Sequence, residues 1–185
     1  MQMREWAERH AEELVAPLGL RWSHTVGVAN RADAVGAALG VDEVNVLVAA
    51  AYLHDVGYAP ALAEDRFHPL DGARHLRNLG EERLAGLVAH HGAADQEAEL
   101  RGFGSQLRSF PREQSELAAL LDYCDLTVGP SGESLCPADR LADVVARYGE
   151  DDFVSVALRE AWPHLEETCR VVDERLATSE DGHPR

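Results

Sequence analysis

The stretch Ala49-Ala50-Ala51-Tyr52-Leu53-His54-Asp55-Val56-Gly57 constrains the chain more than any other. Every residue through Leu53 is small or apolar, so a helix here has no face suited to water and belongs in the interior. Gly57, just past its end, supplies a stop. The helix therefore delivers a histidine and an aspartate to a buried position, where polar groups without partners are costly. Two arrangements meet that cost. Either a divalent cation is ligated by both residues, or the aspartate caps the next turn beside a core histidine.

The rest of the composition narrows the partners. The chain has 185 residues, 45% hydrophobic and 27% charged, enough for one domain with its own core. It contains no lysine, and its net charge is −16. A surface that acidic disfavours duplex nucleic acid and membrane as partners. It leaves room for a small phosphorylated substrate, because a pocket holding two divalent ions, two aspartates and neutral histidines is locally positive. Cys124, Cys136 and Cys169 form no CxxC pair and suggest no disulfide framework. The first segment is charged throughout, unlike a secretion signal, and no apolar run has the length of a membrane span. A cytoplasmic setting is expected. No feature of the chain sets its oligomeric state.

Apolar residues recur at three- and four-residue steps, and no alternating run of any length occurs, which predicts an all-α fold. Helices are expected over 3–16, 22–39, 43–54 with Asp42 as N-cap, and from Pro69 to just before Gly80. Others follow from Glu81 to His90-His91-Gly92, over 96–100, 113–125 and 137–148, and over 153–176 with a kink near Pro163. Residues 1–176 are read as a single domain, with a motif region at 22–128 and C-terminal helices at 137–176. Residues 177–185 are read as a disordered tail. The Gly-, Ser- and Arg-rich stretch 101–111 is either a cover for a pocket or an ordinary connection.

Metal-competent side chains gather at the ends of these apolar helices: His24, His54, Asp55, His68, His90 or His91, and Asp122 or Asp125. Any one of the histidines alone fits a hydrogen-bonded structural role. His75 reads as a surface residue or a neighbour of the site, and His10, His164 and His183 as surface or tail residues. The order H…HD…H…H…D on an all-α chain resembles the HD-domain metal-dependent phosphohydrolase superfamily. The likeness is carried by Leu53-His54-Asp55-Val56-Gly57 and by Cys124-Asp125-Leu126-Thr127-Val128-Gly129-Pro130.

That resemblance implies an HD-domain helical bundle with His24, His54, Asp55 and Asp125 as core ligands and His54-Asp55 as the catalytic dyad. Asp125 is preferred to Asp122 because the segment after it matches the family's closing motif. His68 and His91, with His90 as the alternate, look like the extra pair of the small bacterial binuclear branch, which carries four histidines and two aspartates. In that branch Asp55 would bridge two ions. Imidazole with carboxylate suits one or two divalent transition metal ions (Fe, Mn, Zn, Co or Ni) better than Mg. The implied activity is that of a metal-dependent phosphohydrolase on a small phosphorylated metabolite or nucleotide, with a metal-activated hydroxide attacking phosphorus. Arg21, Arg74 and Arg101 are candidate phosphate contacts. The same ligand set is also similar to that of HD-type diiron oxygenases, although the lysine usual there is missing. A catalytically inactive nucleotide-binding regulatory module is the third reading.

Overall fold

In the computed structural model, which describes residues 2–181, the chain folds as a helical bundle. Its helices are α1 (Met3–Val15), α2 (Leu20–Leu39), α3 (Val44–Leu53), α4 (His68–Asn78), α5 (Glu82–Ala89), α6 (Ala94–Arg101), α7 (Gly104–Leu107), α8 (Glu116–Leu126), α9 (Pro137–Tyr148) and α10 (Phe153–Asp181). Among the described residues the only extended pairing is an isolated antiparallel bridge between Val128 and Ser134. None of these helices is long and apolar enough to cross a membrane.

The bundle is built around α3, whose residues from Leu47 to Leu53 are all buried. Helices α1, α2, α5 and α8 pack against it, and α4 lies on α5. Helix α10 closes the opposite side against α2, α6, α8 and α9. Its attachment has a polar lock. The Tyr123 hydroxyl on α8 accepts from Arg31 of α2 at 2.6 Å and donates to Asp173 of α10 at 2.6 Å. The expected order of helices is found, with one short addition, α7 within the stretch read as a connection, and three differences of detail. Glu43, not Asp42, precedes α3, and neither side chain caps it; the Glu43 carboxylate is engaged by Arg83 of α5 instead. Ser115 caps α8, which starts at Glu116 rather than 113. The last helix continues through Pro163 to Asp181, so 177–181 are helical rather than part of a loose tail, and 182–185 lie outside the described residues.

The stretch 101–111 is an ordinary packed connection. Phe103 stacks on Phe67 with centroids 5.9 Å apart, Leu107 and Phe110 are buried, and Arg77 lies 3.7 Å over the Phe110 ring.

Helix α1 is tied to α4 by a contact between two histidines expected at the surface. The Nε2 atoms of His10 and His75 are 2.7 Å apart in rings only 2° from coplanar, and Trp6 stacks on His10. Nitrogens aimed at each other along one line share a proton; they do not chelate. Burial holds both groups below the ordinary 6.5, with Glu13 opposing it at His10 and His10 adding to it at His75. The folded state therefore binds fewer protons than the unfolded one near that pH, so stability falls as pH drops through about 6.5. The substitution His75→Asn should flatten the dependence of melting temperature on pH between about 8 and 5. An unchanged slope would show that the pair does not contribute.

Candidate metal centre

Five chain segments converge on the C-terminal end of α3. His54 follows its last turn, and its Nδ1 donates to Ala51 O at 2.7 Å. His91 repeats the device after α5, with Nδ1 donating to Val88 O at 2.6 Å. His24, on α2, directs Nδ1 at Gly129 O, 3.2 Å away. That last contact needs the loop after α8 to lie directly on α2. Gly27 permits it, because a Cβ there would fall 2.7 Å from Gly132 Cα. His68 opens α4, with Pro69 next to it, and the buried Asp71 accepts from the amides of Phe67 and Asp65 at 3.3 and 3.2 Å. This local capping fixes the first turn and with it the His68 ring.

A carbonyl oxygen only accepts, so the Nδ1 atoms of His24, His54 and His91 carry protons and their Nε2 atoms point inward. Those Nε2 atoms fall into two groups that share one carboxylate. His24, His54 and Asp55 offer ligand atoms all within 4.8 Å of one another, as do Asp55, His68 and His91. His54 Nε2 is 3.6 Å from Asp55 Oδ2 and 4.0 Å from Asp125 Oδ1, and His24 Nε2 is 2.9 Å from that same Asp125 oxygen. His68 Nε2 is 3.5 Å from Asp55 Oδ1 and 3.3 Å from His91 Nε2.

The donor set fits divalent cations. Burial holds His54 and His68 below the ordinary imidazole value, so both are neutral and present bare lone pairs. His54 Nε2 is buried with no hydrogen-bond partner at all. A buried nitrogen lone pair facing two carboxylates is tolerable where a cation sits among them. Burial alone would raise both carboxyls. With those imidazoles neutral, the permanent charges of Arg21 beside Asp55 and of Arg140 beside Asp125 instead hold both well below the usual range. Both acids are therefore anionic at any ordinary pH, as a carboxylate must be to hold a cation.

The paired alternatives differ in where they point. The His90 ring turns away, 2.9 Å from Asp95 and 3.1 Å from Phe110 O. Asp122 also lies outside the groups. It accepts from Gly92 N at 2.6 Å, and burial pushes its carboxyl up to about 7. Of the arginines, Arg21 stands at the centre, 2.7 Å from Asp55 Oδ2 and stacked 3.4 Å over the Tyr58 ring. Arg74 and Arg101 do not reach it. Arg74 is held by Asp65 at 2.5 Å and by Glu64, Asp71 and Gln106. Arg101 is held by Glu97 at 2.7 Å, near the rings of Phe67 and Phe153. The acids nearest to each claimed its guanidinium.

The model of the HD domain family matches residues 21–128, the segment that supplies every residue of the two groups. The chain belongs to the HD domain family. Its HD region begins at Arg21, on α2, and ends at Val128, just past α8. Members of the family are mostly metal-dependent hydrolases. Neither a curated protein nor a solved structure matches the chain.

A cleft of ≈ 100 Å³ opens over the two groups, walled by Arg21, Asp55, Tyr58, His68, His91 and Asp125 on the HD side. The opposite wall, which includes Arg140, Arg147 and Tyr148, comes from α9, beyond the HD region. Sequence reasoning passed over these residues. A signal was present: Arg140, Val144, Arg147 and Tyr148 follow the spacing of one helical face.

Proposed function

We propose that this HD domain is a binuclear metal-dependent phosphohydrolase acting on a small phosphorylated metabolite or nucleotide. The observation that carries the reading is the sharing of Asp55 by two groups of ligand atoms, one with His24 and His54 and the other with His68 and His91. In this arrangement Asp55 is the bridge, Asp125 completes the first group, and His91 rather than His90 serves the second. Divalent ions bound there would supply activated water and offset the charge that builds on a phosphoryl group.

The chain's own residues perform the remaining tasks. The carbonyls of Ala51, Val88 and Gly129 orient three imidazoles. Arg21 places a permanent positive charge beside the bridging carboxylate, where an anionic substrate would lie. Neither buried thiol competes as nucleophile: burial pushes Cys124 and Cys169 up to about 12, so both stay protonated.

The reading is tested by stripping the protein of metal, restoring Mn, Fe or Co, and measuring phosphate release from a panel of phosphomonoesters and nucleotides. Release that depends on added metal is expected. Consumption of dioxygen by an iron form, or nucleotide binding without product, would overturn it in favour of an oxygenase or a regulatory module. A variant tests the two-group geometry independently. The substitution His68→Ala removes a ligand from one group only, so bound metal should fall from two ions per chain to one, by elemental analysis. An unchanged metal count would exclude His68 as a ligand, and the same comparison of His90→Ala with His91→Ala should show loss only in the second.

A further inference from the structure

The wall of the cleft that comes from α9 has a construction of its own. Arg140, Val144, Arg147 and Tyr148 all face the cleft, and Asp143 lies between the two arginines. The Asp143 carboxylate accepts from Arg140 Nη1 at 3.3 Å and binds Arg147 Nη2 at 2.8 Å, the i,i+3 and i,i+4 neighbours along one helix surface. One acid thus steers two guanidinium groups. Arg140 also extends Nη2 to Asp125 Oδ1 at 3.3 Å, so it stands over the first ligand group as Arg21 stands over Asp55. A guanidinium has five donor hydrogens, and these contacts leave several of them free in each arginine. Three cations at one opening are conspicuous on a chain of net charge −16. Beside them the wall turns apolar, with Leu126, Val144, Val154 and Leu158.

We propose that α9 is the substrate-reading element of the site. Arg140 and Arg147, aligned by Asp143, clasp a phosphoryl dianion together with Arg21, and the apolar wall receives the organic body. The substrate class is a phosphomonoester of a small, partly apolar alcohol. A cleft of ≈ 100 Å³ is well below the volume usual for ligands of drug size, which favours a small phosphorylated group at its base. Bidentate arginine contacts suit the fixed geometry of phosphate oxygens better than a point charge would. This inference rests on the phosphohydrolase reading of the same site, and Asp143 acts in it as a positioning residue.

The test is calorimetric titration of the metal-loaded protein with inorganic phosphate. The substitutions Arg140→Gln and Arg147→Gln should each weaken phosphate binding about tenfold or more, the scale of a lost charge-assisted hydrogen bond. Asp143→Asn is the sharper variant. It removes a negative charge from the cleft, so simple electrostatics predicts tighter binding, whereas loss of alignment predicts binding weaker by about tenfold. Melting temperature and metal content near those of the wild type confirm that each variant is folded, and Arg147→Lys, with its charge on the same helix face, should restore part of the affinity. Phosphate affinity unchanged in both arginine variants, or raised in Asp143→Asn, would overturn the proposal, as would a wild type that does not bind phosphate. The two readings fail separately. Phosphate binding that depends on α9 in a protein that hydrolyses no ester would refute only the activity. Hydrolysis by a wild type whose α9 variants bind phosphate normally would refute only the role of α9.

Discussion

Gly57→Ala is expected to disable the protein more severely than any other single methyl addition near the site. A Cβ at position 57 would lie 2.0 Å from His68 O, 2.8 Å from His68 C and 2.7 Å from Gly72 N. All three are backbone atoms, so no side chain can swing aside to make room. The crossing is tight from the other side too, since a Cβ on Gly72 would sit 3.2 Å from Gly57 N. Either the turn at Val56–Tyr58 or the first turn of α4 must move. The cost should reach about 3 kcal/mol or more, which for a chain of this length lowers the melting temperature by roughly 6–12 °C. Because His68 belongs to the part that shifts, the folded fraction should also lose the metal proposed to sit between Asp55, His68 and His91. Thermal denaturation with elemental analysis reads both effects, and wild-type values in both would refute the packing argument.

The second large effect is expected at Asp55. It is the one residue common to both ligand groups, so Asp55→Ala should empty them together and leave activity down by roughly a thousandfold or more. Structural damage is a separate consequence. Burial disfavours this carboxylate, yet Arg21 keeps it ionised, and its removal strands the mostly buried Arg21 without its partner at 2.7 Å. Breaking a buried pair from one side costs about 3–5 kcal/mol, and the partial exposure of Arg21 reduces that figure. Asp55→Asn separates the two effects. It keeps the shape and a hydrogen-bond acceptor for Arg21, so it should melt closer to the wild type while holding little or no metal. Two ions bound to either variant would remove Asp55 from its bridging place.

What the sequence disclosed and what it hid follow from different physics. The helix ending in His54-Asp55 was legible because its apolar run through Leu53 leaves no face for water, so the polar pair at its end must be buried together. The choice between His90 and His91 was not legible. Adjacent residues at a helix end point about a quarter-turn apart, and which one faces inward depends on the tertiary neighbours Asp95 and Phe110. The arginines show the same limit. Arg74, Arg101 and Arg140 look alike in sequence, but each guanidinium goes to whichever carboxylate folding brings near. For Arg74 that is Asp65 and for Arg140 it is Asp125, whereas Arg101 takes Glu97, four residues earlier on α6, a pairing that spacing alone could have offered. Asp42 does not serve as a cap, since the chain enters α3 one residue later, at Glu43, whose side chain turns to Arg83.

The rings of His54 and His91 are each anchored to the carbonyl three residues earlier, at the ends of helices packed in the core. Their aim is thus fixed by the scaffold before any ion arrives, like sockets milled into a rigid block. Swapping one first-row metal for another then costs the fold almost nothing, and the occupant is decided by relative affinity and abundance. On the proposed reading, a change in the supply of iron or manganese would change what occupies the site without unfolding the protein.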